Sequence, residues 1–305
     1  MLQRHTHGDI TWVNLLSPTP EEVRSVMDEF SLDPLIADEL MVPSVRSRVD
    51  ARDEYFYLVL YFPAFKDLHE IAGTPTELDI IVGKHWIITT QYGTVDLLHR
   101  FVNRFDVDAL LERDAMREHA GLVFVQMLSE FYTSLHDELA NVGVRIDSAE
   151  EHIFGGNEKE MVEELSKISR HLLNYSQALD GHDAMLQSVV TPGVALFGYE
   201  YARHLRSIVG EYERLANVVR SNRAILNELR QTNDSLLTTK QNELMKMFTI
   251  LVFVTFPLTL FTNIFSMRTD HNPIIGHPWD FWIIVGIMLS AAVAFFAYFK
   301  HKRWL

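Results

Sequence analysis

The 305-residue chain contains no cysteine, which excludes a disulfide scaffold, thiol catalysis and every zinc site built on thiolates. That leaves the compartment open, with the cytoplasm the best fit. Basic residues are also in deficit, 27 Lys and Arg against 41 Asp and Glu, for a formal net charge of −14. Phosphate binding needs Lys and Arg clustered on one face, so no nucleic-acid partner is expected. Cations are the more natural company. A Gly-rich phosphate loop, an HExxH pair and a nucleophile constellation are all missing. An ATPase, protease or hydrolase then has no chemistry to rest on, and neither an enzyme nor a resident cofactor is expected. The opening stretch, "MLQRHTHGDITWVNLL", holds no apolar core of signal-peptide length, so no cleaved export signal is expected.

What the chain does have is two long runs without charge. A mean hydropathy of +0.01 hides two populations, a polar acidic body and a very apolar C-terminal end. Met247 to Met267 spans 21 uncharged residues and Phe281 to Phe299 another 19, and about 20 apolar residues cross a bilayer core. Both are expected to be transmembrane helices, in contact with lipid. Lys240, Lys246, Lys300, Lys302 and Arg303 flank the outer ends of the pair, whereas the intervening loop, 268–280, has only Arg268. Because cytoplasmic flanks carry the excess of Lys and Arg, both termini are expected in the cytoplasm, with a short extracytoplasmic loop.

The body divides in two. Residues 1–113 mix strands and helices, as in a small α/β domain. "ITWVNL" and "YFYLVLYF" (55–62) are expected strands, and "LDIIV" and "HWIITTQ" are expected to pair through a hairpin at Gly83-Lys84. "TPEEVRSVMDEF" carries helix-start signals: Thr19 as N-cap, Pro20 first, and Glu22 closing a capping box. Residues 114–246 are expected to be long helices, broken at Gly155-Gly156-Asn157 and at Thr191-Pro192-Gly193. The last of these would join the first span and cover residues 200–267, roughly 100 Å at 1.5 Å per residue. A helix that long needs neighbours, from its own chain or from other copies. The glutamates of "NEKEMVEEL" (157–165) are expected to form a solvated helix face, with metal sensing as the alternative.

Along the first span, Asn242, Met245, Thr249, Val252, Phe256, Thr259 and Asn263 recur at alternating spacings of three and four, which places them on one helix face. Polar residues among aliphatic ones suit a helix facing a water-filled axis. They suit helix packing through small polar side chains equally well. Pro257 sits within the span and frees the carbonyl of Phe253, so a kink or hinge is expected there.

"NELMKMFTILVFVTFPLTLFTNIF" resembles the first membrane helix of the CorA family of magnesium transporters, with its Asn-Glu-x-Met-Lys start and Pro-Leu-Thr segment in order. "FKHKRWL" resembles that family's basic tail (300–305), and "ITWVNLLSPTPEEV" and "HWIITTQYG" resemble its cytoplasmic α/β domain. The resemblance covers almost the whole chain. It implies an α+β cytoplasmic domain, a long stalk helix and two C-terminal transmembrane helices, assembled as a homopentameric funnel in an inner membrane. The stripe from Asn242 to Asn263 would line the pore, and the second span (281–299) would form an outer ring. Divalent metal ions such as Mg, Co, Ni or Zn would pass as transported substrate rather than as cofactor.

The chain departs from the family at the outer mouth. Where members carry Tyr-Gly-Met-Asn, this sequence has Phe265-Ser266-Met267-Arg268, and Asn263 stands where they have a small glycine. Around "YARHLRS" (201–207), His204 and Arg206 occur where the resemblance implies aspartates for a regulatory ion. Arginine offers five donors and no acceptor. A ring of Arg268 side chains would repel divalent cations and attract anions. The alternative is an interfacial anchor, with Arg268 splayed to headgroups or paired with Asp270 or Asp280. Asp270, His271, His277 and Asp280 are candidate ligands for a softer metal such as zinc, or plain polar loop residues. Two further readings stay open: a channel of altered selectivity, and a membrane-anchored regulator or scaffold that has lost Mg conduction.

Overall fold

The computed structural model describes residues 1–44, 46–63, 75–93, 96–110, 119–267 and 278–302. It divides into two compact units, Met1–Arg230 and Gln231–Leu305. The first unit contains one six-stranded sheet of order β1-β2-β6-β5-β4-β3. Its strands are β1 (Leu2–His7), β2 (Ile10–Leu16), β3 (Arg48–Ala51), β4 (Tyr55–Phe62), β5 (Thr76–Gly83) and β6 (Trp86–Gln91). β2 and β6 pair parallel, and every other neighbouring pair is antiparallel.

Helices cover both faces, which explains why "YFYLVLYF" is an unbroken apolar run rather than an alternating one. On one side lie α1 (Pro20–Phe30) and α2 (Pro34–Glu39), whose Val23, Val26 and Ile36 pack on Val13, Tyr57, Val59, Ile81 and Ile88. α1 has the expected capping box, with the N–H of Glu22 donating to Thr19 Oγ1 and the N–H of Thr19 donating to Glu22 Oε2. On the other side, α3 (Asp96–Leu110) and α4 (Ala120–Phe154) meet the sheet through aromatic rings. Trp12 stands 5.5 Å from Phe101, Phe56 5.5 Å from Phe124, and Phe62 5.2 Å from Phe131.

α4 ends at Gly155 as expected, and α5 (Glu158–Ala178) follows. The break expected at Thr191-Pro192-Gly193 is not there: α6 (His182–Phe197) runs through it. A proline in a helix interior costs about 3 kcal/mol, so packing must outweigh it. Gly193 shows how, since an added Cβ would lie 2.9 Å from both Leu205 Cδ1 and Tyr201 Cε1. The glycine admits a helix–helix approach that no larger residue permits. The chain reverses instead at Gly181 and Gly198, whose φ angles of 81° and 89° favour glycine. In "NEKEMVEEL" Glu160 and Glu163 are exposed as expected, but Glu158 is buried rather than solvated. It opens α5, where a carboxylate is stabilised by the positive end of the helix. In the same stretch Glu164 pairs with Arg145 at 2.6 Å and Glu163 with Lys167 at 2.9 Å.

α7 is continuous from Tyr201 to Ser266 and passes Pro257 without interruption. α8 (Asp280–His301) is the second apolar helix. Both are long and apolar enough to cross a membrane.

Candidate pore-lining site

Two faces of α7 differ in the second unit. Lys246, Met247, Ile250, Leu251 and Val254 line a cavity of about 490 Å³ together with Phe296 of α8. Ile250 is buried, and Pro257, Phe261 and Phe265 are half-buried along the same side. At 3.6 residues per turn, the stripe from Asn242 to Asn263 falls on roughly the opposite side of the helix. Of its members only Thr249 is half-buried; Asn242, Met245, Val252, Phe256, Thr259 and Asn263 are exposed in the single chain. Phe256 is 67% exposed, an unusual state for a phenylalanine in water and an ordinary one in lipid or at an assembly axis.

The threonine hydroxyls have a definite orientation. Thr249 Oγ1 donates to the Met245 carbonyl at 2.7 Å, and Thr259 Oγ1 donates to the Thr255 carbonyl at 2.9 Å. Thr255 and Thr262, beside the stripe, donate likewise to Leu251 and Leu258. A hydroxyl has one hydrogen. With it held by the helix backbone, what the threonine presents outward is lone pairs. A hydrated cation points its water hydrogens outward, so this wall offers acceptors of the right polarity.

At the C-terminal end of α7, Ser266 closes the helix and Met267 follows, with its N–H donating to the Ile264 carbonyl. Arg268, Asp270, His271 and His277 lie outside the described residues. Asp280 begins α8, where its Oδ1 accepts from the N–H of Phe281 at 2.7 Å. Its carboxylate is thus occupied in part by its own helix. Among the described residues no group of three or more His, Asp or Glu is placed to hold a metal ion. In "YARHLRS", Tyr201, Ala202 and Leu205 face the core, while Arg203 and Arg206 are exposed and His204 is half-buried. Tyr201 also donates to the Gly121 carbonyl at 2.9 Å.

A helix-covered α/β unit and two helices long and apolar enough to cross a membrane, the first of them 66 residues long and carrying one polar stripe, fit an integral membrane protein of the channel or transporter kind. The chain belongs to the CorA family: the model of the CorA-like Mg2+ transporter protein matches residues 7–301. It is 24% identical to the cobalt/magnesium transport protein CorA of Thermotoga maritima, over 97% of this chain and 83% of that one. Among solved structures, the CorA magnesium transporter of Methanocaldococcus jannaschii matches with a TM-score of 0.83 at 17% identity, covering 97% and 92% of the two chains. The full-length CmaX protein matches with a TM-score of 0.74 at 14% identity, covering 97% and 89%. The fold resemblance therefore extends over both units.

Proposed function

We propose that the protein is a passive channel for divalent metal ions, Mg among them with Co, Ni or Zn as further candidates, formed by five copies in an inner membrane. Residues 1–113 and 114–246 form its cytoplasmic α/β and helical parts. Residues 247–267 and 281–299 are the two spans, 268–280 the outer loop and 300–305 a basic cytoplasmic tail. The observation that carries the reading is the stripe itself, on the α7 face turned away from α8 and carrying Thr249 and Thr259 with their lone pairs outward. Membership of the CorA family supports it. Ions would move down their electrochemical gradient with their water, drawn by the negative inside potential.

The test is flux into proteoliposomes with Mg²⁺, Zn²⁺, Co²⁺, Na⁺ and Cl⁻ offered separately. Divalent cation uptake is expected, and uptake of Cl⁻ alone would sink the reading. One feature would favour a channel of altered selectivity, or a regulator without conduction: Arg268 stands where the resemblance implies an acceptor. If Arg268 faces the axis, Arg268→Asn with Ser266→Gly removes five charges and raises Mg²⁺ uptake well above the parent. Robust parental uptake left unaltered by the double substitution would refute the charge barrier.

A further inference from the structure

A pair of carboxyl groups lies inside the α/β unit, away from any role assigned above. Glu77 and Asp79 are two residues apart on β5 and so point to the same face of the sheet. They sit beneath the end of α2 and are 5% and 1% exposed. Tyr61 is the register partner of Glu77 on β4, and Tyr92 follows β6 directly.

Counting hydrogens fixes the charge of this cluster. The Tyr61 hydroxyl lies 2.5 Å from the Ser44 carbonyl oxygen and 2.7 Å from Glu77 Oε2. The Tyr92 hydroxyl lies 3.1 Å from the Glu39 carbonyl oxygen and 3.0 Å from Asp79 Oδ2. Each phenol has one hydrogen, and a backbone carbonyl only accepts. Two tyrosine hydrogens thus face four acceptors unless a carboxyl group supplies its own. Glu77 has another donor, the N–H of Ser44 at 2.8 Å from Oε1, so both of its oxygens already serve as acceptors. Asp79 meets no N–H donor: its Oδ1 is buried, and besides Tyr92 its carboxyl neighbours only the Tyr57 hydroxyl and the Glu77 carboxyl. The proton belongs on Asp79, from which it is donated to the Tyr92 oxygen while Tyr92 donates to the Glu39 carbonyl.

The surrounding charges do not offset a second anion. Arg48 of β3 is taken up by Glu39 at 2.5 Å and Asp50 at 2.6 Å, and its guanidinium stands 5.5 Å over the Tyr57 ring. Tyr57 of β4 and Thr90 of β6 contribute hydroxyls only. Burial, and then the charge of Glu77 beside it, holds the Asp79 carboxyl well above the ordinary carboxylate range.

We propose that Asp79 is a proton-binding site built into the α/β unit: it holds one proton beside the Glu77 carboxylate, and losing that proton to solvent loosens the cover formed by Glu39 and Ser44. Ionisation puts two like charges on one strand in a dry site and leaves the Tyr92 hydrogen contested between Asp79 and the Glu39 carbonyl. The cover is what gives way, because it is held to the sheet through those same oxygens. Since the folded group keeps its proton to higher pH than the unfolded chain does, this site favours the folded state at low pH. The advantage shrinks as pH rises, until Asp79 ionises in the folded state as well.

Infrared difference spectra of the full chain in detergent test the site directly. At neutral pH the parent should show a protonated-carboxyl C=O band that is absent in Asp79→Asn and disappears as pH is raised. Glu77→Gln removes the neighbouring charge and should move that disappearance to lower pH, a readout that still decides if Asp79→Asn does not fold. No band attributable to Asp79, or a titration that Glu77→Gln leaves in place, overturns the proton site. Hydrogen exchange of residues 39–44 tests the loosening. Corrected for base catalysis, protection in the parent should fall about tenfold per pH unit up to the Asp79 titration. It should hold steady in Asp79→Asn, and an equal fall in both proteins overturns the coupling.

Discussion

Phe256 has the bulkiest side chain on the stripe, and it precedes Pro257, whose missing N–H loosens the helix there. Five such rings around one axis would leave little wetted width, so this position is the expected apolar constriction, closing by loss of water. Phe256→Ser should raise leak current several-fold in planar bilayers; unchanged conductance in a mutant that still assembles would count against the assignment. His182, by contrast, serves the α/β unit. Its Nε2 lies 2.9 Å from the Tyr61 carbonyl oxygen, which only accepts, so Nε2 carries the hydrogen and Nδ1 accepts from the Tyr132 hydroxyl at 2.9 Å. Burial lowers its pKa to about 4, which keeps it neutral. With the folded value below the unfolded one, the stability from this group is complete above about pH 6.5 and lost as pH falls toward 4. The loss is on the order of 3 kcal/mol. Melting of the full chain across that interval should show the fall, and His182→Gln should lose that part of the slope.

At the scale of elements, α6 and α7 meet where Gly193 lets Tyr201 and Leu205 come close. Gly193→Ala places a methyl group 2.9 Å from two side chains, and overpacking of this kind costs typically 1–3 kcal/mol. Denaturant titration should show a lowered midpoint; a midpoint at or above the parent would mean that the contact yields freely. The same helix marks a limit of sequence reading. Thr191-Pro192-Gly193 has the composition of a break, but the partners that keep it helical come from residues later in the chain, and local composition does not reveal them. α1 was legible because a capping box is closed within four residues, and β4 because eight apolar residues in a row signal a strand covered on both faces. β1 and β3 carry no such signal, being edge strands with mostly exposed or half-buried residues. The stripe on α7 was legible from its spacing. The pointing of its threonine lone pairs was not, because that depends on which carbonyl each hydroxyl meets. Glu77, Asp79 and Ile81 alternate along β5, a pattern that places two acids on a buried face once both faces are known to be covered.

For the whole molecule, the exposed apolar surface of the spans and the unpartnered stripe demand company. Sizing by light scattering in mild detergent is expected to give five times the 35.2 kDa of one chain. A stable monomer would dispose of the pore. Such an assembly would carry a stripe of seven residues between Asn242 and Asn263, none of them ionisable. Its threonine hydrogens are already committed to backbone carbonyls, so the dipoles facing the axis are set by the helix and have no protonation state to change. The attraction of this stretch for a hydrated cation should therefore be the same in acid and in alkali. Any pH dependence of ion flow would have to originate in titrating groups elsewhere in the chain.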